Sequence, residues 1–327
     1  MLNDKLSAFP TANKGDSEEL LKSLSLTPQD LAKFDEKTLW KTLHHVNWNR
    51  MDAASRLAVY QEFENRQARL DGRKPVQIRA DMPMKPNLYG IHRTNANGSE
   101  IIFINPRFVK TSKLFGNTDT SIFNAASGLD TVIHEGRHAF QHHVVKNKLD
   151  VVSELQRMEW AASMVQHGGT YIPNTIFYAI QGIEMDARRF GRRQMEKINS
   201  YFKSIGHEDP NFTNAIADSL ATEKDYIAYI RANLTLADID KVEQHIMDHF
   251  RKTHPDTKLD KLSIFYHARL ILLYPEITDP KEMLDLIEKY LDGKLGQLNA
   301  KLDDLDKGTL GGVKDNHLNG PRDRIKG

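Results

Sequence analysis

The sequence predicts an α+β protein, mainly helical, in which a small β-sheet packs on one central helix and helices make up the C-terminal part. Three observations predict it. Apolar residues recur at helical spacing through most of the 327 residues. Between residues 76 and 105 the period changes: Val76 to Arg79 alternate as a strand, and two further strand-like runs flank hairpin-turn residues. That stretch runs ahead of His134-Glu135-Gly136-Arg137-His138, an H-E-x-x-H pattern inside a segment of helical periodicity.

The elements follow in order. Residues 1–16 are polar, with Pro10 and Gly15, and predict a flexible arm. Helical spacing starts at Ser17 with Leu20, Leu21 and Leu24, restarts at the cap-like Thr27-Pro28-Gln29-Asp30, and runs through Leu39, Trp40 and Leu43 to about Val46. His44 and His45 lie here and read as helix surface rather than as ligands. After a turn at 47–51, Asp52-Ala53-Ala54-Ser55-Arg56 opens a strong helix. Leu57, Tyr60, Phe63 and Leu70 give its buried side, and Gly72 suits the left-handed residue that ends it.

Strands are expected at 76–79, 88–94 and 99–105, with Asn95-Ala96-Asn97-Gly98 turning between the last two. Residues 99–105 are the expected edge strand, able to pair with an extended peptide or simply to cover the core. Ser127, with Asp130 three residues on, is the expected cap of the next helix. Leu129, Val132, Ile133, Gly136, Phe140 and Val144 form its apolar stripe, and His134, His138 and Gln141 fall on another face. Further helices are expected at 151–166, 176–202, 212–232, 235–252, 259–273 and 280–292. The Arg188, Arg189, Arg192 and Arg193 cluster reads as a solvated face.

The chemistry concentrates in the H-E-x-x-H helix. Residues four apart share a helix face, so His134 and His138 can reach one ion, while Glu135 lies roughly 100° round the helix. There it can act as general base towards a water without being a ligand. A catalytic zinc takes three protein ligands, so a third is needed. Glu154, Glu159 and Glu184 compete for that place, and spacing from His138 favours Glu159.

The segment Leu129 to Gln141, followed by Gly182-Ile183-Glu184-Met185-Asp186-Ala187, resembles the H-E-x-x-H and E-x-D-A segments of zincin-like metallopeptidase domains found in bacterial polymorphic toxins and effectors. The resemblance spans residues 40–195, with Trp48 to Pro75 and Ile101 to Pro106 as its weaker parts; Gly182 stands where such domains often have proline. It implies a zinc metallopeptidase with His134, His138 and Glu184 as ligands and Glu135 as catalytic base. It also implies a zincin-like domain over 17–205, leaving a helical subdomain at 206–300 and a flexible tail at 301–327. A protein or peptide substrate, delivery into another cell, and an immunity protein or secretion chaperone as partner come with the same resemblance. Asp130 and Asp186 are candidates to orient the ligating histidines. Tyr171, Tyr178, His207, His245 and His249 are all available to stabilise an oxyanion, and His142 and His143 read as surface residues.

Composition narrows the alternatives. The net charge is +1, from 45 basic and 44 acidic residues, so the one-sided field of a nucleic-acid or membrane-surface binder is missing. There is no cysteine, so any zinc site uses nitrogen and oxygen ligands and no disulfide forms. No run of about 18 apolar residues occurs, and Met1 to Asn13 lack the apolar core of a signal peptide. The expectation is a soluble protein, cytoplasmic in the cell that makes it, exported if at all by another route. Two rivals keep the sequence without the chemistry: a pseudo-enzyme or helical binding module built on a structural zinc site, and a metal-free helical interaction protein. Glu135 speaks for catalysis, because a scaffold has no use for a carboxylate at that position.

Overall fold

The computed structural model describes residues 24–25, 35–85, 88–95, 97–110, 123–165, 176–253 and 264–291. The expected arm at 1–16, most of the first helical stretch, the loop containing Tyr171 and the tail at 301–327 lie outside the described residues. The chain divides into two compact units, one made of residues 1–147 and 183–221, the other of 148–182 and 222–327. The architecture is α+β and mainly helical, with one three-stranded sheet among the described residues.

In the first unit, α1 (Glu36–Leu43) and α2 (His45–Trp48) lead into α3 (Ala53–Leu70). Each starts on a side-chain cap: Asp35 accepts from the Thr38 N–H and Asp52 from the Ser55 N–H. Gly72 follows α3 with φ 66°, the left-handed conformation a side chain resists. Two expectations fail in this region. Leu70, placed on the buried side of α3, is 82% exposed at the helix end, and the apolar residues of α3 that are fully buried are Val59, Tyr60 and Ala68. His44, expected at a helix surface, is fully buried where α1 breaks into α2.

The sheet comprises β1 (Gln77–Arg79), β2 (Gly90–Thr94) and β3 (Glu100–Ile104), in the order β1-β3-β2. β3 pairs in parallel with β1 and antiparallel with β2. The strand expected at the edge, 99–105, is therefore the central one, and β1 and β2 are the edge strands among the described residues. Ile101 to Ile104 are apolar throughout, as a strand flanked on both sides needs, whereas β2 carries His92, Arg93 and Thr94.

α4 (Ala125–Asn147) carries the H-E-x-x-H segment beneath this sheet. Its N-terminal cap is Asn124, whose side chain accepts from the Ser127 N–H, so the cap lies three residues before the expected Ser127. Leu129, Val132 and Ile133 pack with Ile78, Ile102, Ile104, Tyr60 and Phe108 in one core. Two glycines allow the close approach. A Cβ at Gly128 would stand 2.1 Å from the Tyr60 hydroxyl, and one at Gly136 would stand 2.9 Å from a Glu64 carboxylate oxygen. Glu64 and Arg73 form a buried ion pair at 2.6 Å, and Arg73 also donates to the Gly136 carbonyl at 3.2 Å, which ties α3 to the middle of α4. Breaking either side would leave a buried charge without its partner, a loss of about 3–5 kcal/mol.

The helix expected over 176–202 is two: α6 (Ile176–Ala179) and α7 (Gly182–Ser204), separated by Ile180 and Gln181. The restart at Gly182 puts Glu184 in the first turn of α7, where the helix dipole favours a carboxylate. α8 (Pro210–Asn233) begins in this unit, capped by Asp209.

The second unit contains α5 (Glu154–Val165), α6, the later part of α8, α9 (Leu236–Thr253), α10 (Tyr266–Leu273) and α11 (Pro280–Leu291). Ile230, Ile239, Ile246, Phe250, Phe265, Leu270 and Leu284 make its core. Residues 259–263, expected to open α10, lie outside the described residues. Among the described residues, no helix is long and apolar enough to cross a membrane.

Candidate metal centre

One turn of α4 separates His134 and His138, and the fold turns both imidazoles to one point. Their Nε2 atoms stand 3.1 Å apart. Glu184, from the first turn of α7, faces the pair with both oxygens: Oε2 is 3.3 Å from His134 Nε2 and Oε1 is 3.4 Å from His138 Nε2. Ligand atoms bound at ~2.0–2.1 Å around a tetrahedral zinc are separated from one another by ~3.3 Å. The donor spacing therefore fits a zinc ion, and two imidazoles with one carboxylate are the ligands zinc prefers among nitrogen and oxygen donors.

Electrostatics hold the three donors together. Burial pulls the His138 imidazole down, but the Glu184 and Glu135 carboxylates and Gln141 outweigh it and lift the pKa to about 9. Burial also pushes the Glu184 carboxyl up, and the two histidines more than reverse that, holding it well below the ordinary carboxylate range.

Gln141 orients the second histidine. Its amide nitrogen donates to the Ile183 carbonyl at 2.9 Å and to Asp186 Oδ2 at 2.8 Å. That assigns its oxygen as the acceptor facing His138 Nδ1 at 2.8 Å, which puts the imidazole proton on Nδ1 and leaves Nε2 to bind. Asp186 is fixed in turn by Arg137 at 2.8 Å and Arg189 at 3.3 Å, and Arg137 is sandwiched between the rings of Phe140 and Phe190. Burial raises the Asp186 carboxyl, but the arginines outweigh it and keep it ionised. Arg189 and Arg192 are buried, so this part of the arginine cluster is not the solvated face its sequence suggests.

Asp186, expected to hold a histidine directly, thus acts one residue removed, through Gln141. Asp130 is half-buried; desolvation pushes its carboxyl up, while His134 and Arg188 pull the other way. α7 passes close to it at Gly191, where a Cβ would stand 2.6 Å from Asp130 Oδ1.

Glu135 lies against the edge strand β2 rather than among the ligands. Its Oε2 accepts the His92 backbone N–H at 2.7 Å, and Gly90 leaves room for it: a Cβ there would stand 2.5 Å from Thr131 Cγ2 and 3.1 Å from Glu135 Cγ. The Asn105 N–H donates to the Tyr89 carbonyl and the Asn95 N–H to the Ser99 carbonyl, so odd-numbered residues of β2 bond to β3. Gly90, His92 and Thr94 therefore direct their backbone groups to the outer edge of β2, on the side of Glu135. The His92 ring packs on His142 at 5.2 Å, so His142 is half-buried rather than a surface residue.

The other carboxylates weighed for the third ligand are elsewhere. Glu154 is exposed, and Glu159 is buried in the second unit, where burial and the Glu243 charge push its carboxyl well above the usual range. Neither belongs to a cluster of metal-binding side chains among the described residues. Of the residues available for an oxyanion, Tyr171 lies outside the described residues and Tyr178 and His245 belong to the second unit. His207 acts on His44, away from the His134 cluster. Gln141 and the His92 backbone are the contributors that sequence reasoning missed; the three-residue spacing from His138 was the available signal for Gln141, and a backbone N–H leaves none. No protein-family model, no curated protein and no solved structure matches the chain.

Proposed function

We propose that the protein is a zinc-dependent peptidase of zincin-like type, with His134, His138 and Glu184 holding the metal and Glu135 as general base. The observation that carries this is the convergence of those three donors beside a glutamate they do not need as a ligand. When bound, zinc would supply Lewis acidity, polarising a peptide carbonyl and bringing the pKa of water down to about 7. Glu135 takes a proton from the attacking water and returns it to the leaving amine. The His92 N–H holds one carboxylate oxygen of Glu135 and leaves the other for that exchange.

The outer edge of β2 is the place for an extended substrate, since Gly90, Thr94 and the His92 carbonyl direct their backbone groups there, while the His92 N–H is held by Glu135. Main-chain pairing there orients a peptide with little dependence on its side chains. Delivery into another cell, as a toxin or effector, rests on the resemblance of residues 129–141 and 182–187 alone.

Glu135→Gln is the test. The amide is close in size to the carboxylate, so zinc content and fold are expected to match the parent, while hydrolysis of unstructured protein substrates or toxicity on expression falls by ~10²- to 10⁴-fold or more. Equal activity at equal zinc content would remove peptide hydrolysis at this site as the function.

A further inference from the structure

A second set of metal-binding side chains lies at the corner between α1 and α2. His44 is fully buried there, edge-on to Phe202 at 5.0 Å and beside the His45 ring at 4.4 Å. Asp209, the cap of α8, is also fully buried. Its Oδ1 accepts the Asn211 N–H at 2.9 Å; its Oδ2 accepts the His45 N–H at 2.7 Å and stands 3.3 Å from His45 Nδ1. His44, His45 and Asp209 each offer a ligand atom, and these atoms lie within 4.8 Å of one another.

Helix capping accounts for Asp209 and for His44 Nδ1, which caps α2 at the Val46 N–H, but not for the buried Nε2 of the same ring. Burial pulls the His44 imidazole down, to about 4, against the opposing pull of Asp209. His44 Nδ1 faces the Val46 N–H at 3.4 Å, a long contact, and Nε2 has no hydrogen-bond partner among the described residues. A proton on Nε2 is a buried donor with no acceptor; a proton on Nδ1 points at another donor. Either arrangement is unfavourable without something more in the site.

We propose that His44, His45 and Asp209 form a second site for a divalent transition metal, zinc by its donor set, which clamps the α1–α2 corner to the start of α8. Two imidazoles and a carboxylate suit zinc over magnesium or calcium. This inference goes beyond the peptidase reading and does not depend on it.

The experiment uses the full-length chain with His134→Ala and His138→Ala, stripped by chelator and titrated with zinc alone. One equivalent is expected to bind and to raise the unfolding midpoint. Adding His45→Gln, at a side chain 27% exposed and so tolerant of change, should weaken that binding by at least ~100-fold while far-UV circular dichroism stays that of the parent. Asp209→Asn, which keeps an oxygen for the cap, should do the same. No bound zinc in the His134→Ala/His138→Ala chain, or zinc whose affinity ignores His45→Gln, overturns the second site and leaves the first untouched. A single equivalent in the parent that survives His134→Ala and vanishes with His45→Gln would instead support this site and remove the first.

Discussion

Replacing Gln141 with leucine tests how the metal centre is held. The side chain has nearly the same volume, so α4 keeps its packing, but His138 Nδ1, the Ile183 carbonyl and one contact of Asp186 lose their partner. Asp186 stays bound to Arg137 and Arg189, so α7 should remain in place. Three buried hydrogen bonds at about 1 kcal/mol each, less the gain from burying a leucine, give a loss of roughly 1–3 kcal/mol for the metal-free protein. The imidazole is then free to turn, and losses of this kind weaken metal binding by ~10- to 100-fold. Zinc affinity would be read by competition with a chromophoric chelator, and stability by urea unfolding without metal. Gln141→Glu separates the two effects. Its carboxylate still accepts from His138 but meets Asp186 where the amide donated, so stability should fall while zinc affinity stays within ~tenfold of the parent. If Gln141→Leu lowers stability yet leaves zinc affinity within threefold, the histidine is not positioned through Gln141 and the argument fails.

The mainly helical class and the small sheet were legible because both periodicities are strong in the residues themselves. Residues 76–79 alternate and 95–98 read as a hairpin turn, and α3 and α4 carry clear apolar stripes. The pair His134 and His138 with Glu135 was legible for the same reason, since four-residue spacing fixes a helix face. What could not be read was long-range. Strand order depends on long-range pairing: the apolar run Ile101 to Ile104 suits a central strand, but it does not say that β1 is the strand that joins from the far side. Spacing favoured Glu159 over Glu184, and spacing failed because the break at Ile180 and Gln181, which starts α7 and sets Glu184 in its first turn, has no proline to announce it. His44 looked like surface because Leu39, Leu43 and Val46 already fill a helical stripe; the chain breaks at His44 and turns its ring inward.

Glu184→Ala should remove most of the zinc held at the first site, a loss of orders of magnitude in affinity, whereas Glu159→Met should leave it unchanged; zinc analysis after dialysis decides, and the reverse result would move the third ligand to α5. Gly90→Val should cost stability and activity together, because its side chain must push against Thr131 and Glu135, and a fully active Gly90→Val protein would show that β2 does not lie over Glu135 as described. Glu159→Met also tests the second unit. The glutamate is buried with no hydrogen-bond partner on either carboxyl oxygen among the described residues, and burial and Glu243 raise its pKa. In the unfolded chain it ionises near the ordinary value of about 4.3, so above that pH the folded state binds the extra proton. Stability from this group is thus complete below the unfolded pKa and declines as pH rises towards the folded one. Methionine removes both the unpaired polar atoms and the linkage. The variant should gain roughly 1–3 kcal/mol over the parent at neutral pH, with the gain growing from pH 5 to pH 8 in urea unfolding. A gain that does not change with pH would mean that Glu159 is neutral in both states over this range or ionised in both, and either outcome contradicts the raised pKa on which the prediction rests.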